Sequence, residues 1–315
     1  MFSSLLNQMA FLFGLIFIGF LLAKRKIIPE NTSMVLSKLE NFLFIPALIL
    51  GTFIQNFTVN NLVSAGKLLL FSLAIELVVI PLALVCVRFC TKDAYIRRIS
   101  LYGLCFANFA FMGNAIVSSM FEDVFFEYMI FTLVPWLIIY LWAVPFLLFE
   151  RDEQATGIWS RLNVLINPMF ITAVVGMVIG LTAIPVPSFV QSLVSSLGGC
   201  MSPVAMLITG MTIAKINMRT VLKIKSIYVV SILRLLAFPL LFMGLYYLAQ
   251  KMGFILPRAF VVCAVVSLAM PLGLNTIVIP GAQGKDTTVA SGMALISHIL
   301  AIVTIPMIFV LLNAL

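Results

Sequence analysis

Charge is what this chain has least of. Asp, Glu, Lys and Arg make up 10% of it against 63% apolar residues, and the mean hydropathy is +1.20. Soluble domains carry nearer one quarter charged residues, so water is excluded as the main solvent. Histidine occurs once, at His298. There is no GxxxxGK[ST], which excludes ATP hydrolysis by this chain. HExxH, neighbouring intramembrane aspartates and Asp-rich prenyl-diphosphate motifs are missing too, so an intramembrane hydrolase would find little acid–base chemistry. The five cysteines, Cys86, Cys90, Cys105, Cys200 and Cys263, show no CxxC spacing and are odd in number. They read as small apolar packing residues, and neither a disulfide, a metal site nor a cofactor is expected.

What is abundant is apolar sequence in long runs. A bilayer core takes about 20 apolar residues per helix. Runs between polar breaks predict ten spans, near 5–23, 36–56, 64–88, 99–119 and 125–149, then 164–184, 188–213, 226–249, 256–280 and 287–313. No basic residue precedes the first run, which is long enough to span and reads as a retained helix rather than a signal peptide.

The net charge of +8 invites a nucleic-acid partner, but the charges are placed otherwise. Odd-numbered loops hold Lys24, Arg25, Lys26 and Lys38; Arg88, Lys92, Arg97 and Arg98; Arg151 and Arg161; Lys215, Arg219, Lys223 and Lys225; and Lys285. The even loops and their helix ends hold only Lys67, Lys251 and Arg258. Basic residues gather on the cytoplasmic face, so both termini are expected outside.

The chain also repeats its punctuation. Pro46, Glu76, Pro81, Asn114 and Pro145 recur as Pro203, Arg234, Pro239, Asn275 and Pro306, at separations of 157 to 161 residues. Each sits in an apolar stretch, where proline, amide and charge are costly. Five spans per half is odd, so residues 1–150 and 151–315 must enter the membrane from opposite sides. That is a 5+5 inverted repeat, the geometry of carriers that alternate access.

The fourth span reads Cys105-Phe-Ala-Asn108-Phe-Ala-Phe-Met-Gly113-Asn114-Ala-Ile-Val117, and the ninth Ser267-Leu-Ala-Met-Pro271-Leu-Gly273-Leu-Asn275-Thr-Ile-Val278. Pro271 removes a backbone donor and Gly273 lowers the cost of unwinding. Unwound backbone is tolerated at depth only where it lines a cavity or is buried in protein. Half-helix N-termini there favour an anion, and Asn108, Asn114 and Asn275 add donors and acceptors without charge. Ordinary kinks with inter-helix amide bonds are the plainer reading; the recurrence of Asn in both repeats favours a substrate site.

The pattern Asn108-x4-Gly113 with Pro271-x-Gly273-x-Asn275, followed by Ala290 through His298 to Pro306, resembles the auxin efflux carrier family. That family includes plant auxin carriers and bacterial malate and malonate carriers. The resemblance covers essentially the whole chain. One position departs: the family often places proline two residues after the glycine of the fourth span, and here Ala115 stands there, so the break in that span is expected to be mild or to rest on Gly113. The resemblance implies an all-α membrane fold shared with bile acid symporters and sodium/proton antiporters, in which the interrupted helices 4 and 9 cross. Helices 1, 2, 6 and 7 would form a scaffold, through which a homodimer could form. Helices 3–5 and 8–10 would form a mobile transport domain. It implies a small organic anion as substrate, bound by Asn108, Gly113, Asn114, Pro271, Gly273 and Asn275.

Three more buried polar residues are candidates for coupling or charge pairing. Glu76 and Arg234 each lie five residues before a proline in spans three and eight, and read either as a structural ion pair or as a coupling group and a carboxylate ligand. His298 reads as a hydrogen-bonded core residue or as a proton carrier. The chain is therefore expected to be a secondary carrier of mono- or dicarboxylates such as malate or malonate, or auxin-like acids, working by an elevator motion in a bacterial cytoplasmic membrane. The alternatives are a proton- or sodium-coupled symporter or antiporter of another substrate, a channel, or a transporter-like sensor. An enzyme is not expected, and neither is a nucleic-acid partner.

Overall fold

A computed structural model describes residues 2–148, 168–215, 221–282, 285 and 287–314. Helix is the regular structure of the described residues, because a segment with few polar side chains can satisfy its backbone groups only within itself. The elements are α1 (Phe2–Lys24), α2 (Thr32–Asn56), α3 (Val59–Cys90), α4 (Ala94–Cys105), α5 (Asn114–Met120), α6 (Phe125–Ile138), α7 (Pro168–Thr182), α8 (Ser188–Ala214), α9 (Lys225–Lys251), α10 (Arg258–Ala269), α11 (Asn275–Ala282) and α12 (Thr288–Ala314). Six described helical stretches are long and apolar enough to cross a membrane, and shorter apolar helices lie among them. The division between residues 150 and 151, the loop cations Arg151, Arg161 and Arg219, and the start of the span predicted at 164 lie outside the described residues.

The helices sort their faces as a bilayer requires. Along α3, Ala65, Leu68, Ser72, Glu76, Val79, Ala83 and Val87 are buried at three- and four-residue spacing, while Leu70, Leu77, Val78 and Val85 are exposed. An apolar exposed face opposite a buried stripe with polar members is the inverse of a water-soluble helix.

Prolines set the local geometry. Pro46 and Pro239 each follow a wide π turn, at Glu40–Phe44 and Leu233–Ala237. Proline leaves the carbonyl four residues back without its donor and crowds it, and a π turn takes up the misfit.

Helix pairs approach closely over glycine. Gly19 and Gly210 let α1 lie against α8: a Cβ at Gly210 would overlap the Ile16 carbonyl, and one at Gly19 the backbone of Leu207. Gly176 and Gly180 do the same between α7 and α2, where a Cβ on Gly180 would fall 2.7 Å from the Phe53 carbonyl oxygen. Close backbone approach of this kind is how helices associate without a hydrophobic drive between them. α2 packs on α8 as well, while α3 packs on α6, α9 on α12, and α10 on both α6 and α12.

A candidate binding site where two broken helices meet

α4 stops at Cys105. Phe106 is extended (φ −122°, ψ 112°), and Ala107 forms an isolated antiparallel bridge with Leu272 of the segment between α10 and α11. The Asn108 N–H donates to the Pro271 carbonyl at 2.7 Å. On the other side α10 ends at Ala269, and Met270 takes the extended conformation expected before proline (φ −71°, ψ 148°). Gly273 permits the contact: a Cβ there would sit 3.2 Å from the Ala107 carbonyl oxygen. A buried hydroxyl secures the arrangement, since the Leu272 N–H donates to Ser297 Oγ at 3.1 Å and Ser297 Oγ donates to the Ala294 carbonyl at 3.0 Å.

The break in the fourth span therefore lies at Phe106–Asn108, which corrects the alternative that it rests on Gly113. No proline or glycine is needed, because the unwound strand recovers backbone bonds from its counterpart. Gly113 lies in the π turn Phe109–Gly113. The space where its side chain would be is filled by the Tyr128 hydroxyl, which donates to the Phe109 carbonyl at 3.0 Å.

The three asparagines have different surroundings. Asn108 is buried, with Nδ2 3.4 Å from His298 Nε2, and its Oδ1 has no hydrogen-bond partner among the described residues. Asn275 begins α11 and donates from Nδ2 to the Tyr102 hydroxyl at 3.1 Å. Asn114 faces away into a tight cleft with Ile49, Phe53, Trp136, Met169 and Phe170, and its Oδ1 is buried without a partner among the described residues. Thus the structure gathers Asn108, Pro271 and Gly273 with His298, and Asn275 with Tyr102, while Asn114 looks toward α2 and α7.

Arg234 is fully buried and its guanidinium joins the two broken helices. Nη1 donates to the carbonyls of Leu104 (2.8 Å) and Cys105 (3.4 Å), and Nη2 to that of Ser267 (2.6 Å). These are carbonyls at the C-terminal ends of α4 and α10, which carry partial negative charge and lack intrahelical donors. Among the described residues Arg234 makes no ion pair, so of the two readings of Glu76 and Arg234 the structural ion pair is not realised as a direct contact. Glu76 is buried and feels Arg234 electrostatically, and its Oε2 has no hydrogen-bond partner among the described residues. The planar fork goes to carbonyls because two helix ends present more acceptors, better aimed, than one carboxylate on α3.

Sequence reasoning missed three residues. Tyr102 and Ser297 stand in apolar runs with no motif that sets them apart. Glu40 is buried in the π turn of α2, with neither carboxylate oxygen hydrogen-bonded among the described residues; its charge inside an apolar run was the available signal.

A cavity of about 860 Å³ opens between α2 and α8 on one side and α5 and α6 on the other. Its lining includes Thr52, Gln55, Ser118, Glu127, Gln191 and Ser195. It lies on the face carrying the turns at 57–61, 121–124 and 183–187.

Long apolar helices with exposed apolar faces and a buried crossing of broken segments define an integral, multi-pass membrane protein. The profile of a family described as membrane transport protein matches residues 4–160 and 155–309, nearly the whole chain, and the protein belongs to that family, the auxin efflux carriers. No curated protein matches it.

Proposed function

We propose that the protein is a secondary carrier for a small organic anion, a mono- or dicarboxylate such as malate or malonate, or an auxin-like acid. The observation that carries this is the treatment of charge at the crossing. Arg234 answers the carbonyl ends of α4 and α10; the Asn108 and Leu272 N–H groups are used within the crossing, and the N–H groups that follow them toward α5 and α11 are left for a ligand. Uncharged amides stand at those ends. Asn108 and Asn275 are the principal ligands in this reading, with Pro271 and Gly273 shaping the backbone; Gly113 and Asn114 serve the half behind them.

The frame fits a ten-span, 5+5 inverted repeat. Under the repeat, α1 corresponds to α7 and α2 to α8, so the glycine-mediated pair α1–α8 has its counterpart in α7–α2. Likewise α3–α6 corresponds to α9–α12. The first set forms a scaffold whose exposed apolar residues, such as Phe17 and Val174, suit a homodimer. The second set carries the crossing and moves as an elevator. The cavity is then the path open to the outer face, with both termini outside a bacterial cytoplasmic membrane.

The test is uptake of labelled malate into proteoliposomes under an imposed potential, with unlabelled carboxylates as competitors. Saturable uptake, a reproducible competitor ranking, and loss of uptake in folded Asn275→Ala are the expected results. Wild-type uptake in that variant would remove Asn275 from the site. No uptake under any gradient would displace the small-dicarboxylate assignment.

A further inference from the structure

We propose that His298 is a proton site linked to the anion site, so that one proton is taken up with each anion bound at Asn108. The inference rests on the anion-carrier reading above and adds its coupling ion.

The argument starts from hydrogen-bond direction. His298 Nδ1 lies 2.7 Å from the Ala294 carbonyl oxygen. A carbonyl only accepts, so Nδ1 carries the hydrogen, and in the neutral ring Nε2 is an acceptor. Asn108 must then turn its Nδ2 toward Nε2, as it does at 3.4 Å. The remaining oxygen of Asn108 is buried and has no partner among the described residues. In this state one Nδ2 hydrogen is held by Nε2, and the free Oδ1 beside the second is an acceptor, the wrong sign for a carboxylate.

Presenting both Nδ2 hydrogens to an anion, with the oxygen turned away from it, requires the amide to turn over. Its Oδ1 would then face Nε2, and two acceptors would meet unless Nε2 gained a proton. With a proton taken from water on the uptake side, Nε2–H donates to Asn108 Oδ1 and Nδ2 is freed for the anion. The bond given up is long, so little opposes the turn. The bound anion favours the imidazolium in return. On the far side the anion leaves, the proton returns to water, and the amide turns back.

Asn275 shows why His298 is singled out. Its partner, the Tyr102 hydroxyl, both donates and accepts, so Asn275 can turn without any proton being exchanged. His298 cannot reverse its role at Nε2 without one. The other buried groups that could take up a proton, Glu76 on α3 and Glu40 on α2, are hydrogen-bonded to neither Asn108 nor His298 among the described residues. Among the elements packed on α12, the buried titratable groups are Tyr102 and Cys105 on α4, Arg234 and Tyr246 on α9 and Cys263 on α10, and none of them is hydrogen-bonded to His298. α1, α8 and α11 contribute no buried titratable side chain among the described residues.

The experiment is labelled malate uptake between about pH 6.5 and 8, where malate stays ionised, with a lumenal pH dye reporting proton entry. The wild type should show KM rising with pH, up to about tenfold per unit, and one proton entering per malate. His298→Gln, whose amide accepts or donates without a proton, should keep saturable uptake with a flat KM and no proton entry. A His298 that merely packs would change the unfolding temperature and leave the pH slope in place. Saturable wild-type uptake with a flat KM and no proton entry would overturn the proton site alone. A pH slope retained in His298→Gln would overturn it too. Absence of any saturable uptake would overturn the carrier reading itself. If His298→Gln does not fold, the wild-type proton count decides.

Discussion

Replacing Arg234 should damage the protein through its helix ends, not through Glu76. Arg234→Met removes two close charge-assisted bonds, to Leu104 and Ser267, and a longer one to Cys105. Bonds to a charged group contribute about 1.5–3 kcal/mol each, and hydrogen bonds inside membrane proteins average lower. The expected loss is about 3–5 kcal/mol, in line with removal of one member of a buried charged constellation. Arg234→Lys keeps the charge but offers a single ammonium, which cannot fork to two helices, and should lose about half as much. Reversible unfolding in mixed micelles measures both. The deciding variant is Glu76→Gln combined with Arg234→Met. Were the two residues a direct pair, neutralising both would restore most of the stability. Because the acceptors are backbone carbonyls, the double variant should stay within about 1 kcal/mol of Arg234→Met alone. Recovery of wild-type stability in the double variant would refute the reasoning.

Other consequences are narrower. Gly113→Ala should cost about 1–3 kcal/mol by driving into the Tyr128 hydroxyl, and Tyr128→Phe should recover part of that loss in a thermal melt. Gly210→Leu should separate α1 from α8, lowering the melting temperature far more than Gly244→Leu, where a Cβ meets nothing. Tyr102→Phe should raise KM for the transported anion several-fold with little loss of stability, since it removes one hydrogen bond from Asn275. In a cysteine-free background, single cysteines at Asn61 and Thr91 should react with an impermeant thiol reagent from opposite faces of the membrane. Labelling of both from one face would break the span count.

Much of the frame was legible in the sequence because membrane helices are local objects. Apolar run length marks the six helical stretches long enough to cross a membrane, and the proline before Leu272 marks the break between α10 and α11 within a few residues. Gly176 and Gly180 stand four apart in an apolar run, a spacing that lets helices pack closely, and the structure shows that they approach the backbone of α2. What escaped was non-local. Phe106 to Asn108 carries no breaker, and its extension depends on pairing with a strand 165 positions away, as the Ala107–Leu272 bridge shows. Arg234 and Glu76 occupy equivalent places in the two halves, which suggested a pair. Their equivalence was real in sequence, but acceptors on the backbone of two other helices cannot be read from side-chain identities. Tyr102 and Ser297 escaped for the same reason: each acts on a residue more than 20 positions away.

The most direct test of the account is counterflow. Vesicles preloaded with unlabelled malate should accumulate labelled malate faster than empty ones, because a loaded carrier returns more readily than an empty one. Folded Asn108→Ala and Asn275→Ala should both abolish that exchange. Accelerated exchange surviving in either would contradict a site at the crossing, and uptake indifferent to preloading would contradict a carrier.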